Sequence, residues 1–326
     1  MTAAYEGVSV AIGAHTWLED DAKVDSIVQV MRQHGVKQID TARIYGDGAS
    51  ERAIGLRHLG KEFSIDTKAN TAIFPGTGKL IEKFLHESLE ALKLPKVRVY
   101  LLHGPDETVP FEEQAKVLHQ LYEKGYFEKL GLSNFTKAQI LEFYNVAKTN
   151  GYVLPTVYQG MYNIVGRGTE DDLFPALREM GFSIQAFSPM AMGLLSKTPE
   201  YIRQGKGRWD ESKVDGRLLR GVYYKDSYFK MLDAFGKLSE ESGVSRVGLA
   251  YRWVKYHSFL DGNLGDELII GGTEVEHVDY GLAELKKGPL EPWIVGRLEE
   301  IWEMVKADAV ASPLDSVRKA FQASSN

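Results

Sequence analysis

The chain has 326 residues, 44% hydrophobic and 26% charged, enough to bury a large core in one α/β barrel or in two smaller domains. Its 39 basic and 45 acidic side chains leave a net charge of −6, which argues against nucleic acid or an anionic membrane as its partner. It has no cysteine, so disulfides, thiolate zinc sites, iron–sulfur clusters and cysteine nucleophiles are excluded. Residues 1–7 carry no apolar signal core, and no run approaches ~18 consecutive apolar residues. The expectation is a soluble, cytoplasmic protein.

Short β-branched or apolar runs recur along the chain, each followed by a longer helical pattern. The runs span 8–13, 38–42, 63–69, 97–103, 129–134, 156–159, 183–189 and 267–272. Between them, 79–92 places Leu80, Ile81, Phe84, Leu85, Leu89 and Leu92 on one helical face. The segments 111–124 and 136–150 behave alike, with Thr136 placed as an N-cap and Gly151 just past the end. Eight strands alternating with helices predict a closed (β/α)8 TIM barrel, a single domain over 1–326 with extended loops at its C-terminal face. An open doubly wound sheet would carry G-x-G-x-x-G after its first strand, and none is present.

One interval is too long. Residues 190–266 separate the last two strands; 225–242 and 246–256 read as helices, but 196–224 has only weak periodicity. We read about 190–224 as a long loop or lid. A last helix, 291–306, and a tail, 312–326, close the chain.

Two motifs fail on inspection. GTGKL at 76–80 lacks the upstream glycine of a phosphate loop and has Leu80 where Ser or Thr would meet magnesium, so a turn before a helix is expected. His86-Glu87 has Glu90 where the second histidine of a zinc helix belongs. His34, His58 and His119 fall on expected helices, and no histidine pair has metal spacing.

The chemistry sits at the strand ends. The second strand finishes at Asp40 with Tyr45 in the loop beyond, the third at Lys68 and the fourth at His103. Taken singly, Asp40 could cap a turn, Lys68 could be solvated, His103 structural and Tyr45 a packing aromatic. Adjacent strand ends bring all four to one mouth. A phenol with pKa ~10 is a weak acid near neutrality; an ammonium at Lys68 lowers that value, and Asp40 keeps Lys68 charged. His103 can hydrogen-bond a carbonyl oxygen, and Tyr45 can protonate it as hydride reaches the carbon. No metal is needed.

The run IDTARIYGDGASE at 39–51 resembles the Asp-to-Tyr signature of the aldo-keto reductase superfamily, closest to its aflatoxin-aldehyde reductase branch. IDTKAN at 65–70, LLHGPD at 101–106, GLSN at 131–134, LPTVYQGMY at 154–162 and GPLEP at 288–292 continue the resemblance in family order over nearly the whole chain. The resemblance implies a catalytic tetrad of Asp40, Tyr45, Lys68 and His103, and NADPH-dependent reduction of an aldehyde or ketone. It implies that Ser133, Asn134 and Gln159 hold the nicotinamide carboxamide and that the ring stacks on Phe187, where many members have tyrosine. The loop from Ser188 through Met192, Gly193 and Leu194 would meet the pyrophosphate with backbone amides. The adenosine end falls at Gly271, Gly272, Thr273, Glu274, His277 and Gly281. Relatives often carry a basic or amide residue at His277 and asparagine at Gly281. Glu274 either repels a 2′-phosphate or hydrogen-bonds a free ribose hydroxyl, so NADPH is expected and NADH remains open.

For the substrate pocket the resemblance implies His15, Thr16 and Trp17 after the first strand and Tyr223 and Tyr224 in the long loop. Arg208, Arg217 and Arg220 lie in that loop, but 317–321 does not match the branch's ending. An acidic aldehyde and a larger aromatic carbonyl therefore both stand. Two other functions compete. One is a nucleotide-binding regulatory subunit of the same fold, against which the intact tetrad counts; the chain has no evident N-terminal extension for that role. The other is a Schiff-base enzyme using Lys68, which Asp40 opposes by keeping the amine charged. The expected state is monomer or homodimer, with a small carbonyl compound as ligand and neither nucleic acid nor membrane as partner.

Overall fold

In a computed structural model of the chain, eight strands pair in sequence order, all parallel, and β8 closes on β1. The structure describes residues 7–19, 22–310, 312 and 314–322. The expectations placed on residues 1–6 and 323–326 lie outside these. The strands are β1 (Ser9–Gly13), β2 (Gln38–Asp40), β3 (Ser64–Ala69), β4 (Val97–Leu102), β5 (Phe127–Ser133), β6 (Pro155–Met161), β7 (Ser183–Phe187) and β8 (Glu267–Ile270). Helices α1 (Ala22–His34), α2 (Ala49–Leu56), α3 (Ile81–Leu92), α4 (Phe111–Glu123), α5 (Lys137–Thr149) and α6 (Leu173–Glu179) follow the first six strands in turn.

Each helix buries an apolar stripe against the outside of the barrel, which is where most of the core lies. In α3 the stripe is Ile81, Leu85, Leu89 and Leu92. Thr136 caps α5 in a full capping box with Gln139, the local signal that fixes where that helix starts. Several strands end one or two residues before the sequence pattern does. The chain still pairs there: Thr41 N–H donates to Asp66 O, and His103 N–H to Ala69 O. These half-paired residues form the C-terminal mouth, where barrels of this class place their chemistry.

The interval between β7 and β8 is not an open loop. It holds a 3-10 stretch (Ala191–Ser196), α7 (Pro199–Arg203), a 3-10 turn (Gly207–Trp209), α8 (Val214–Tyr223), α9 (Asp226–Ser242) and α10 (Arg246–Tyr256). Helices as short as α7 fall below the length at which periodicity is legible; their only signals were a cap, Thr198, and Pro199 at the first turn. The tail differs too. After α11 (Val275–Leu285) and α12 (Pro292–Glu303), a last helix, α13 (Leu314–Gln322), packs on α8. Arg318 pins it across the β3–α3 and β4–α4 loops, donating to Ala72 O at 2.9 Å and Pro105 O at 2.7 Å. His58 lies in a left-handed turn after α2 rather than in a helix. The GTGKL segment is a turn and a 3-10 stretch leading into α3. Among the described residues no helix is long and apolar enough to cross a membrane.

Candidate active site

The loop after β2 is held as a hydrogen-bonded packet. Arg43 N–H donates to Lys68 O at 3.1 Å, keeping the chain beside β3, and Tyr45 N–H donates to Ala42 O at 3.0 Å, closing a turn that returns the tyrosine over the barrel. Residues 46–48 then take positive φ before α2 begins. Glycine suits position 48, where φ is +80° and a β-carbon would displace the Arg43 guanidinium. That guanidinium is tied down by the buried Glu51 at 2.6 Å, which also accepts from Thr67 Oγ1 at 2.6 Å. Ser50 Oγ donates to Ala14 O at 2.7 Å and locks the packet to β1.

Tyr45 is thereby set among the other three strand-end groups. Lys68 Nζ lies 2.7 Å from both Asp40 oxygens, 2.8 Å from Thr41 O, and 5.3 Å from the Tyr45 ring centroid. The His103 ring meets Tyr45 edge-on, with centroids 5.6 Å apart. Burial works against the Lys68 charge, but the Asp40 carboxylate, with Tyr45 and Asp66, holds its pKa above the ordinary lysine value. Lys68 is therefore a stable ammonium.

The phenol departs from expectation. Lys68 pulls the Tyr45 pKa down, but burial outweighs it and Asp40 adds to the rise, so the net shift is upward. The sequence revealed the ammonium but not the desolvation. His103 goes the other way: burial, with Lys68 adding to it, pushes its imidazole down to about 3. It is neutral near pH 7, and its enclosed Nδ1 has no partner within the protein.

The expected cofactor residues divide into two groups. Gln159, Ser133 and Asn134 stand beside the tetrad: Gln159 Nε2 donates to Asp40 Oδ1 at 2.9 Å, and Asn134 Nδ2 to His103 O at 3.0 Å and Ser133 Oγ at 3.1 Å. Phe187, half-buried, ends β7 in register with Met161. Beyond it Ser188, Ala191, Met192 and Gly193 all have positive φ, a backbone that curls as anion-binding loops do. Leu194 is buried beneath this curl. At the far end, Thr273 Oγ1 lies 3.5 Å from His277 Nδ1 and Gly271 packs over Gly13 O. His277 crowds Gly272, where a β-carbon would come within 2.7 Å of its Cβ. Glu274 is paired with Lys23 at 2.7 Å, a basic partner the sequence reading missed because it lies on α1. Gly281 comes seven residues after Glu274. It is buried on α11, and a β-carbon there would meet the Tyr251 ring at 2.7 Å, which explains the missing side chain.

The pocket residues scatter. His15 stacks edge-on against Tyr45 with centroids 6.1 Å apart, and Thr16 Oγ1 donates to Gly272 O. Trp17 and Tyr223 are each 2% exposed, packed rather than free to line a cavity. The Tyr223 hydroxyl rests on Met161 Sδ at 3.7 Å. Tyr224 is covered by the Arg220 guanidinium at 3.8 Å and abuts Phe229. Arg208 pairs with Asp215 and Arg220 with Glu211, while Arg217 donates to Glu211 O and Ser212 O. Among the described residues no group of three His, Asp or Glu side chains is placed to hold a metal.

Sequence reasoning also passed over the barrel interior beneath the tetrad, where Asp66, Arg98, Gln185 and Glu267 form a cluster. The available signal was strand parity: Asp66 lies two residues before Lys68 on the same face of β3.

Comparison with known proteins agrees with this fold. The family model described as the Aldo/keto reductase family matches residues 9–303. The chain is 38% identical to the oxidoreductase sirO of Leptosphaeria maculans over 288 residues, covering 88% of each protein. It is 35% identical to aflatoxin B1 aldehyde reductase member 2 of Rattus norvegicus, covering 85% of this chain and 79% of that one. A glycerol dehydrogenase structure from Gluconobacter oxydans, AKR11B4, superposes with a TM-score of 0.71 at 22% identity, over 92% of this chain and 93% of that one, a likeness of fold. The chain belongs to the aldo/keto reductase family and is an NAD(P)H-dependent oxidoreductase of the carbonyl-reducing kind.

Proposed function

We propose that the protein reduces an aldehyde or ketone to the alcohol with NADPH, and that Tyr45 supplies the proton. The observation that carries this reading is Lys68, an ammonium clamped 2.7 Å from Asp40 and set against the Tyr45 ring at a barrel mouth. A phenol that stays protonated, beside a cation that stabilises the phenolate as it forms, is a general acid for an oxygen gaining charge. Neutral His103 can offer that oxygen a hydrogen bond without competing as an acid. The ammonium state of Lys68 opposes Schiff-base chemistry.

The residues present suit a dinucleotide. Gln159, Ser133 and Asn134 would hold the carboxamide, Phe187 the ring face and the curl after Ser188 the pyrophosphate, with Glu274 and Lys23 at the adenosine end. The nicotinamide would supply the hydride. The choice of NADPH turns on Lys23, the cation within reach of a 2′-phosphate once its pairing with Glu274 is shared.

The test follows nicotinamide absorbance with a reactive aromatic aldehyde, NADPH and NADH compared. Faster consumption of NADPH is expected. Binding of both cofactors without turnover across a carbonyl panel would favour a regulatory nucleotide-binding role, and covalent trapping of substrate by borohydride would point to Lys68 as a nucleophile.

A further inference from the structure

Barrel interiors of this class are filled mainly by branched apolar side chains. Here Val99, Leu101 and Val157 form a small buried apolar cluster of their own. Beside it a polar network runs unbroken from Arg98 to Asp40. At the floor, Arg98 reaches Asp66 with Nε at 2.8 Å and Nη2 at 2.5 Å, and Glu267 with Nη1 at 2.6 Å and Nη2 at 2.7 Å. Gln185 Nε2 donates to Asp66 Oδ2 at 2.8 Å and Glu267 Oε2 at 2.7 Å. Gln185 Oε1 accepts from Gln159 Nε2 at 2.8 Å, and Gln159 Nε2 donates also to Asp40 Oδ1 at 2.9 Å. Both glutamines are 2% exposed.

The direction of this chain is forced. An ionised carboxylate only accepts, and a primary amide has two hydrogens. Both hydrogens of Gln185 go to floor carboxylates, so its oxygen must face Gln159. Both hydrogens of Gln159 go to Gln185 and Asp40. Turning Gln185 over would set its carbonyl oxygen against the floor carboxylates and its NH2 against that of Gln159, and turning Gln159 over would set its carbonyl oxygen against both Asp40 and the Gln185 oxygen, buried mismatches of the costly kind.

We infer that Gln185, anchored by Asp66, Arg98 and Glu267, is a positioning residue that fixes the place and polarity of Gln159, so that Gln159 offers a bound nicotinamide an acceptor and never a donor. The inference rests on the NAD(P)H reading above and adds a recognition rule to it. Gln159 selects the N–H2 of the carboxamide, and a carboxylate in its place is disfavoured because it has no hydrogen to give. The same chain steadies Asp40, and through it Lys68, from below.

The test is a double-mutant cycle on binding. Dissociation constants are measured for NADP+, for its deamido analogue carrying nicotinic acid, and for 2′-phospho-ADP-ribose, which lacks the ring. The proteins are wild type, Gln185→Met, Gln159→Met and the double variant. Wild type should prefer NADP+ over the deamido analogue by roughly tenfold or more, the scale of one buried hydrogen bond and the penalty for leaving it unmade. Gln185→Met should shrink that preference several-fold, leave 2′-phospho-ADP-ribose unchanged, and have no further effect once Gln159 is methionine. If Gln185→Met alone does not fold, Gln185→Met with Glu267→Gln leaves Asp66 and Arg98 as a neutral pair and takes its place. An unchanged preference, or fully additive effects of the two substitutions, would overturn the relay alone. Failure of wild type to bind any of the three ligands would overturn the NAD(P)H reading, and the relay with it.

Discussion

Replacing Lys68 with methionine separates what the residue does for the fold from what it does for the chemistry. Its ammonium is fully buried and lies 5.3 Å from the Tyr45 ring centroid. At an effective dielectric of ~20, that separation is worth about 3 kcal/mol to a developing phenolate, or roughly two pKa units. The opposing Asp40 charge trims the figure, so a loss of about 10²-fold in kcat/KM is expected. Stability should fall as well, because Asp40 is left as a buried carboxylate with Gln159 still donating to it but its cation gone; breaking such a pair costs about 3–5 kcal/mol. The decisive variant is Lys68→Met with Asp40→Asn. The amide keeps an acceptor for Gln159 and removes the uncompensated charge, so denaturant melts should show most of the stability restored while carbonyl reduction stays low. If activity returned together with stability, Lys68 would be a structural residue and its place beside Tyr45 incidental.

Three further outcomes follow from the same geometry. With His103 neutral down to about pH 3 and the Tyr45 phenol held upward, kcat/KM should show no histidine limb between pH 5 and 8; a limb near 6–7 that vanishes in His103→Gln would contradict this. Burial raises Asp66 from 3.8 to about 6 against the pull of Arg98, with Glu267 adding to the rise. The folded protein therefore holds that proton more tightly than the unfolded chain, and Asp66's contribution to stability is greatest below pH ~4 and declines by roughly 2–3 kcal/mol as pH rises to ~6; Asp66→Asn should flatten that slope in unfolding measurements, and an unaltered slope would count against it. Glu274→Ser removes a carboxylate that would repel a 2′-phosphate, so the ratio of NADPH to NADH efficiency should rise several-fold, whereas an unchanged ratio would place Glu274 away from the 2′ position.

The barrel was legible because its signals are local. Eight apolar runs of strand length, separated by amphipathic segments such as 79–92, leave few other closed arrangements. The meeting of Asp40, Tyr45, Lys68 and His103 was legible because polar residues ending apolar strands converge at one mouth, whatever the helices outside do. What stayed hidden depends on three-dimensional neighbours. Asp66 and Arg98 lie on the adjacent strands β3 and β4, Gln185 and Glu267 on the adjacent strands β7 and β8, and the two pairs meet only across the barrel. Lys23 reaches Glu274 from the opposite end of the chain. The upward shift of Tyr45 comes from enclosure, which no residue type announces. Tyr224 read as a pocket aromatic by position, yet Arg220, four residues earlier on α8, covers it instead. At Gly281 the Tyr251 ring, on another helix, fills the space a side chain would need.

The most direct measurement is a single turnover of wild type and Tyr45→Phe, each saturated with NADPH and mixed with a reactive aromatic aldehyde. Cofactor binding, read by protein fluorescence, should be nearly unchanged by the substitution, since Tyr45 is assigned to the carbonyl oxygen. Hydride transfer should slow by roughly 10²–10⁴-fold, the contribution of a positioned general acid. Transfer at the wild-type rate in Tyr45→Phe would contradict the assignment of Tyr45 as the proton donor.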